Sequence, residues 1–232
     1  DRIVISLTSY PARFGILALT LKCLLTQSVE VDQVVLWVTE DDFVQLPTEI
    51  LAMASAGLTI LTCAELGSYK KIIPALRRFY SRNWLAHLLR AAAESPRAIV
   101  CHRAHKVHQG QNGLPLSYAE WDNNIAEFGP SWDVFPTSGA GVLYRPGQLH
   151  PDVTNAAMAL EMCPNADDLW LYWMARRNGV SARKVGPPFQ LIEWEVASQS
   201  GLWHDNLSGG GNDRKLTSLI QRFGSPHNPY FS

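Results

Sequence analysis

No charge of one sign dominates this chain. Its 20 Lys and Arg are met by 21 Asp and Glu, for a formal net charge of −1, so the basic footprint of a nucleic-acid binder is missing and no nucleic-acid partner is expected. No apolar run reaches the roughly 18 residues that a membrane-spanning helix needs, and Asp1 is followed at once by a strand-like segment rather than by a charged and then apolar leader. A cytoplasmic location is the expectation, with attachment to the inner face of the cytoplasmic membrane left open. Cys23, Cys63, Cys101 and Cys163 stand about 40 to 60 residues apart, without the close pairs of zinc sites or small disulfide scaffolds, and read as buried thiols in a reducing compartment. There is no internal repeat, no low-complexity linker, no Gly-x-Gly-x-x-Gly and no Gly-Lys-Ser/Thr phosphate loop after the first strand-like run. The two commonest nucleotide cradles are thereby removed.

What is present suffices for a sizeable core: 232 residues, 47% of them hydrophobic and 18% charged. The first hundred residues alternate between two periodicities. Ile3–Leu7 reads as a strand, Leu17–Leu25 as a helix, Val34–Val38 as a strand covered on both faces, Thr39–Asp42 as an acidic loop, Thr48–Ala56 as a short helix, and Leu58–Thr62, beyond Gly57, as a strand. Strand, helix, strand, helix, strand predicts an α/β layer structure. Further on, Ser68–Phe79 and Asn83–Ala93 read as helices and Ala98–Cys101 as a strand. Residues 105–140 read as irregular loops over an active-site mouth, and Gly139–Tyr144 as a strand entered through glycines. Asp167–Arg177 is a helix with acids at its start, arginines at its end and Gly179 just beyond, and a last helix lies near Lys215–Phe223.

In an open α/β sheet, ligands bind beyond the carboxyl ends of the strands. Without a glycine-rich cradle, side chains must hold any nucleotide: Thr8 and Ser9 by hydrogen bonds, Tyr10 by stacking, and Arg13, Lys70 and Lys71 by charge-assisted bonds to diphosphate oxygens. Solvated loops with ordinary salt bridges are the alternative for each. Trp121 and Trp170, beside polar residues, suit sugar stacking or core packing equally. Asp167 and Asp168 open a helix, where Asp167 caps it and Asp168 is solvated, or Asp168 serves as a base. His102, His105 and His108 are spaced by three, which on a strand turns alternate rings to opposite faces and favours structural roles over a metal site. Gly209-Gly210-Gly211 fits a mobile flap or a plain linker.

Five ordered blocks carry a resemblance: Ile3–Arg13, Ser68–Leu76, Cys101–His105, Phe135–Thr137 with Gly141–Tyr144, and Ala166–Trp170. Together they resemble bacterial glycosyltransferases of the A-type, nucleotide-diphospho-sugar transferase fold, of the polysaccharide-biosynthesis kind, across nearly the whole chain. The resemblance implies a Rossmann-like, mixed but mainly parallel central sheet flanked by helices in a single domain, with residues 1–104 the nucleotide-sugar-binding half and 105–232 the acceptor-binding and catalytic half. It implies transfer of a sugar from a nucleoside diphosphate, UDP in the first instance, to a hydroxyl of a glycan or lipid-linked acceptor. Asp168, with Asp167 beside it, would be the base of an inverting reaction, and Mn²⁺ or Mg²⁺ would be the cofactor. His204 would complete the metal shell. The oligomeric state is not implied.

One departure stands out. The family carries a buried strand and an acidic metal-binding cluster where this sequence runs from Phe79 directly into Tyr80, about a dozen residues short. Losing a central strand would leave its neighbours' backbone groups unpaired. The expectation is therefore that the sequence joins residues flanking an active-site loop at that point. If the two are truly bonded, a catalytically inactive sugar-nucleotide-binding relative becomes the reading; a nucleotidyltransferase is the other alternative, although its usual glycine-rich phosphate loop is missing.

Overall fold

The computed structural model describes residues 3–64, 83–189 and 211–227. It is mixed α/β, with nine strands and seven helices among those residues. Two compact units divide after His87.

In the first unit Val4–Thr8 (β1), Gln33–Val38 (β2) and Leu58–Thr62 (β3) form a parallel sheet with β2 in the middle. Val34, Val35, Leu36 and Val38 are all buried, so β2 is covered on both faces, as its unbroken apolar run requires. The register sets Leu7 against Leu36 and Trp37 against both Thr8 and Leu61. The carboxyl ends of the three strands thus share one edge. Beyond β1 a tight turn at Pro11–Arg13, with proline in the place where a missing N–H costs nothing, leads into Phe14–Leu25 (α1). Phe14, Leu17, Ala18, Leu21 and Leu24 form the buried stripe of α1.

The expected acidic loop after β2 is a one-turn helix, Glu40–Phe43 (α2). Thr39 Oγ1 accepts the Asp42 N–H at 3.0 Å, and the three acids occupy the first turn, where the helix dipole favours them. Thr48–Ala52 (α3) tightens into a turn at Met53–Ala56 and stops at Gly57, whose φ of +100° is open to glycine at little cost. The expected helix over 68–79 and the Phe79–Tyr80 junction lie outside the described residues. Trp84–Glu94 (α4) begins in this unit and crosses into the next.

The second unit holds a four-stranded sheet in the order β6 (Phe128–Ser131), β9 (Ala182–Lys184), β4 (Ile99–Cys101), β8 (Val142–Leu143). Only the β4–β9 pair is parallel. Ala104–Lys106 (β5) and Val134–Pro136 (β7) make a separate antiparallel ribbon. Residues 105–140 are therefore more ordered than their composition suggests. The helices are Ala156–Met162 (α5), Asp167–Arg177 (α6) and Gly211–Phe223 (α7).

The described strands make three sheets, parallel throughout the first and in the β4–β9 pair of the second. β4 finds its partners at Val142–Leu143 and Ala182–Lys184 and so groups with the later chain.

Helix α6 is the strut of the second unit. Every residue from Leu169 to Arg176 is buried, so it has no solvent face over those two turns. The Arg176 guanidinium, 1% exposed, donates from Nε to Trp132 O at 3.1 Å, from Nη2 to Val134 O at 2.8 Å and from Nη1 to Val180 O, and it lies 4.5 Å over the Tyr172 ring. One buried cation thereby ties down the chain entering β7 and the turn after α6. Replacing it by methionine leaves those carbonyls short of donors where water cannot easily reach. R176M is expected to lower unfolding stability by about 3 kcal/mol, read as a reduced denaturation midpoint at unchanged slope; an unshifted midpoint would show that the carbonyls find other donors.

Candidate functional site

Two clusters of polar groups stand out, one in each unit. In the first unit the cluster forms where β1 ends. Thr8 Oγ1 donates to Trp37 O at 2.7 Å, which fastens the end of β1 to β2. Ser9 follows, 2% exposed, and its hydroxyl has no hydrogen-bond partner among the described residues. The Pro11–Arg13 turn folds the chain back, with Arg13 N donating to Tyr10 O at 2.9 Å, so that the buried Arg13 guanidinium lies 4.6 Å over the Tyr10 ring. The expected quartet Thr8, Ser9, Tyr10 and Arg13 is thus brought together at a sheet's carboxyl edge. One face of Tyr10 is taken by Arg13, which leaves at most the other for a base. A buried cation beside a buried hydroxyl is suited to an anionic oxygen. Lys70 and Lys71, expected to join them, lie outside the described residues, as does His204.

In the second unit the cluster is built from three of the blocks that carry the resemblance. The segment between β4 and β5, His102-Arg103, faces the turn after β7. Thr137 N donates to Arg103 O at 3.0 Å, Arg103 Nη1 returns a bond to Thr137 Oγ1 at 2.9 Å, and His102 N donates to Gly141 O at 3.1 Å. Gly141, at φ +106°, closes the Ser138–Ala140 turn, and its N–H donates to Ser138 O at 3.0 Å. That turn presents Ser138 to α6: its backbone N–H donates to Asp168 Oδ1 at 2.9 Å, and its hydroxyl makes a very short bond to the same oxygen. Asp168 is half-buried. Ala166 occupies the cap position and Asp167 is the first helical residue, so the capping alternative for Asp167 is not what forms.

The charge of Asp168 is felt around it. Burial, and after it the Asp168 carboxylate, push the phenols of Tyr118 and Tyr144 above their usual range, while Arg103 pulls that of Tyr118 back. Burial takes the Cys101 thiol up to about 12, Lys184 opposing and Asp168 adding, so Cys101 is protonated and not a nucleophile. Asp168 also borders a small cavity with Tyr144, Tyr172 and Arg176, with about 10 Å³ of room for the centre of a water molecule. Roughly one water fits such a volume.

For Trp121 and Trp170 the structure shows the core-packing alternative. Trp121 is 3% exposed and packs among Tyr118, Phe135 and their neighbours, its ring centroid 4.6 Å from Tyr118 and 5.2 Å from Phe135, with Nε1 donating to Leu116 O. Trp170 is 1% exposed, with Nε1 donating to Val153 O at 3.2 Å. Neither ring offers a face to a sugar. The histidine trio divides as a structural reading requires: His105 Nδ1 accepts the Asn124 N–H at 3.0 Å, and His108 Nε2 meets Asp122 at 3.0 Å. Among the described residues no three His, Cys, Asp or Glu side chains gather to hold a metal ion. Ser138, Arg103, Thr137, Tyr118 and Tyr144 had no role in the sequence reading, although all but Ser138 and Tyr118 lie inside the blocks of the resemblance. A scan against protein-family models and a search of curated proteins find no match to this chain.

Two predictions follow from these placements. A buried hydroxyl without a partner costs free energy, so S9A is expected to leave the unfolding stability of the ligand-free protein unchanged or higher by up to about 1 kcal/mol, read from denaturation; a fall would reveal a partner for Ser9. Burial, with Arg103 second, takes His105 down to about 3. Unfolding restores the ordinary value near 6.5, so the unfolded chain binds the extra proton between those limits. Stability therefore declines as pH falls from about 6.5 towards 3, by about 1.4 kcal/mol per pH unit for that one proton. His227, also lowered by burial, adds in the same direction. H105Q, measured by denaturation at several pH values, should show a shallower acid slope by one proton.

Proposed function

We propose that this chain is a glycosyltransferase of the A-type, Rossmann-like class, moving a sugar from a nucleoside diphosphate, UDP in the first instance, to a hydroxyl of a glycan or lipid-linked acceptor. The observation that carries the reading is the convergence of three separated blocks, Cys101–His105, Phe135–Thr137 with Gly141–Tyr144, and Ala166–Trp170, on the carboxylate of Asp168. Residues strung over some seventy positions meet around one ionisable group, and that group sits at the start of a buried helix whose dipole favours its charged form. The first unit contributes a second support: Ser9 and Arg13, buried together beyond the end of β1, suit the oxygens of a diphosphate.

In this reading Thr8, Ser9, Tyr10 and Arg13 serve the donor, with Lys70 and Lys71 assigned to the same task. Asp168 serves the acceptor. The acceptor O–H bond breaks and its proton passes to Asp168 as the acceptor oxygen bonds to the anomeric carbon. The bond from that carbon to the diphosphate oxygen breaks, and its electron pair leaves with the nucleoside diphosphate. Attack opposite the leaving group inverts the anomeric configuration. Mn²⁺ or Mg²⁺ belongs to the proposal as a partner of the diphosphate; no ligand for it is assigned among the described residues, and no step is drawn through it. Association with the inner face of the cytoplasmic membrane would follow from a lipid-linked acceptor.

A second reading has one observation in its favour. Asp168 Oδ1 already takes both donors of Ser138, work that a purely structural carboxylate would also do. A sugar-nucleotide-binding relative without transferase activity fits that equally. Thermal-shift measurements with UDP-sugars, with and without Mn²⁺, and a transfer assay that detects released UDP separate the two. A transferase should show a raised melting temperature that Mn²⁺ enlarges, an inverted product, and a kcat about 10²- to 10⁴-fold lower in D168N. Binding without Mn²⁺ dependence and without UDP release would select the inactive relative, pyrophosphate release would select a nucleotidyltransferase, and a retained configuration would remove Asp168 as base.

A further inference from the structure

Ser138 is buried, 6% exposed, on the turn between β7 and β8. It is a poor place for a hydroxyl unless something accepts from it, and Asp168 Oδ1 does so, together with the backbone N–H of the same residue. Two donors from one residue to one oxygen hold a carboxylate more firmly than two independent side chains would, because the donors cannot move apart. The turn that carries them is itself fixed. Gly141 N–H closes it onto Ser138 O, His102 N–H holds Gly141 O, and Thr137, just before it, is held from both sides by Arg103. The chain from β4 through Arg103 to the Ser138 turn is thus one hydrogen-bonded frame, and Asp168 is its far end.

We infer that Ser138 is the positioning residue of this site, locking Oδ1 of Asp168 so that the carboxylate takes the acceptor proton in a fixed direction. This rests on the reading of Asp168 as the base. Ser138 has no contact with either substrate in this role: it acts only through Asp168, and its effect falls on the rate of proton removal and not on binding. Orientation of this kind costs rate steeply when lost, since a base that swings through several rotamers spends only part of its time aligned. The sequence on its own gives Ser138 no distinction, because it stands in the gap between Phe135–Thr137 and Gly141–Tyr144.

The test is a kinetic cycle on the full chain with a UDP-sugar donor and Mn²⁺. S138A, with folding checked by circular dichroism and melting temperature, is expected to lower kcat by about 10- to 100-fold, with KM for donor and acceptor within about twofold of the parent. In the D168N background, S138A should lower kcat no further, because two residues that act as a unit do not add. S138T, which keeps the hydroxyl, should recover most of the rate if it folds. Full kcat in S138A, an additive loss in S138A/D168N, or a loss confined to KM would each overturn the positioning role while leaving the transferase standing. A parent protein that folds and transfers no sugar would instead overturn the base itself, and the role of Ser138 with it.

Discussion

The ionisable side chains of helix α6 have to be satisfied where water is scarce, and the second unit is arranged around that requirement. Asp168 stands one residue inside the start of the helix and Arg176 one residue before its end. Between them the helix is buried all round, so Arg176 cannot turn to solvent without leaving the core and Asp168 reaches it only in part. Each is met instead by loop groups: Ser138 gives its N–H and hydroxyl to the carboxylate, while Trp132, Val134 and Val180 give carbonyls to the guanidinium. The two ends of the helix thereby fix the two ends of β7, one through the 131–134 segment and the other through the 138–141 turn. A net interaction of this type is worth little by comparison with water, but the cost of leaving it unmade is large, which is why these loops have so little freedom.

Burial also sorts the reactive groups. Cys101, next to Asp168, is held as a thiol, and His105 is held as neutral imidazole with Nδ1 accepting a backbone N–H. Neither is suited to be a nucleophile or an acid near neutral pH. Lys184 is fully buried and gives its ammonium to the carbonyls of Val185, Gly186 and Pro187, which shapes the chain beyond β9 and occupies all three of its donors. Asp168 thus stands among groups whose chemistry is already spoken for.

Long elements with a clear period were legible in the sequence. The α6 boundaries agree at both ends, β3 agrees at both ends, and Gly57 marks the stop before it, because apolar periodicity and a left-handed stop are local properties. Of the short strands, β4 was legible as Ala98–Cys101 and β8 within Gly139–Tyr144, whereas β5, β6, β7 and β9 were not. β9 has Arg183 and Lys184 in three residues, and only the tertiary fold shows that Lys184 turns inward to meet carbonyls. The β5–β7 ribbon is made of two three-residue pieces about thirty residues apart, too short to carry a pattern. The acids after Thr39 read as a loop because four residues cannot show a helical period, although a threonine followed by three acids is a helix start on capping grounds. At the candidate site the blocks were legible and the partners were not: Asp168 could be picked out, but a hydrogen bond from Ser138, thirty positions away, has no local signature. For Trp121 and Trp170 the sequence could not choose between stacking and core, since polar neighbours in sequence say nothing of the burial that the fold gives both rings.

The place of β4 in the sheet order has a consequence for how the chain acquires its shape. β1, β2 and β3 have one another as partners by Thr62, within the first third of the sequence. β4 must wait for Val142–Leu143 on one side and for Ala182–Lys184 on the other. During synthesis the first three strands therefore emerge ready to pair, while the apolar Ile99–Cys101 stretch stays unsatisfied until some eighty more residues have left the ribosome. Assembly of the second unit is the slow, non-local event, and the stretch with most need of protection by a chaperone in that interval is the same one that later carries Arg103 into place.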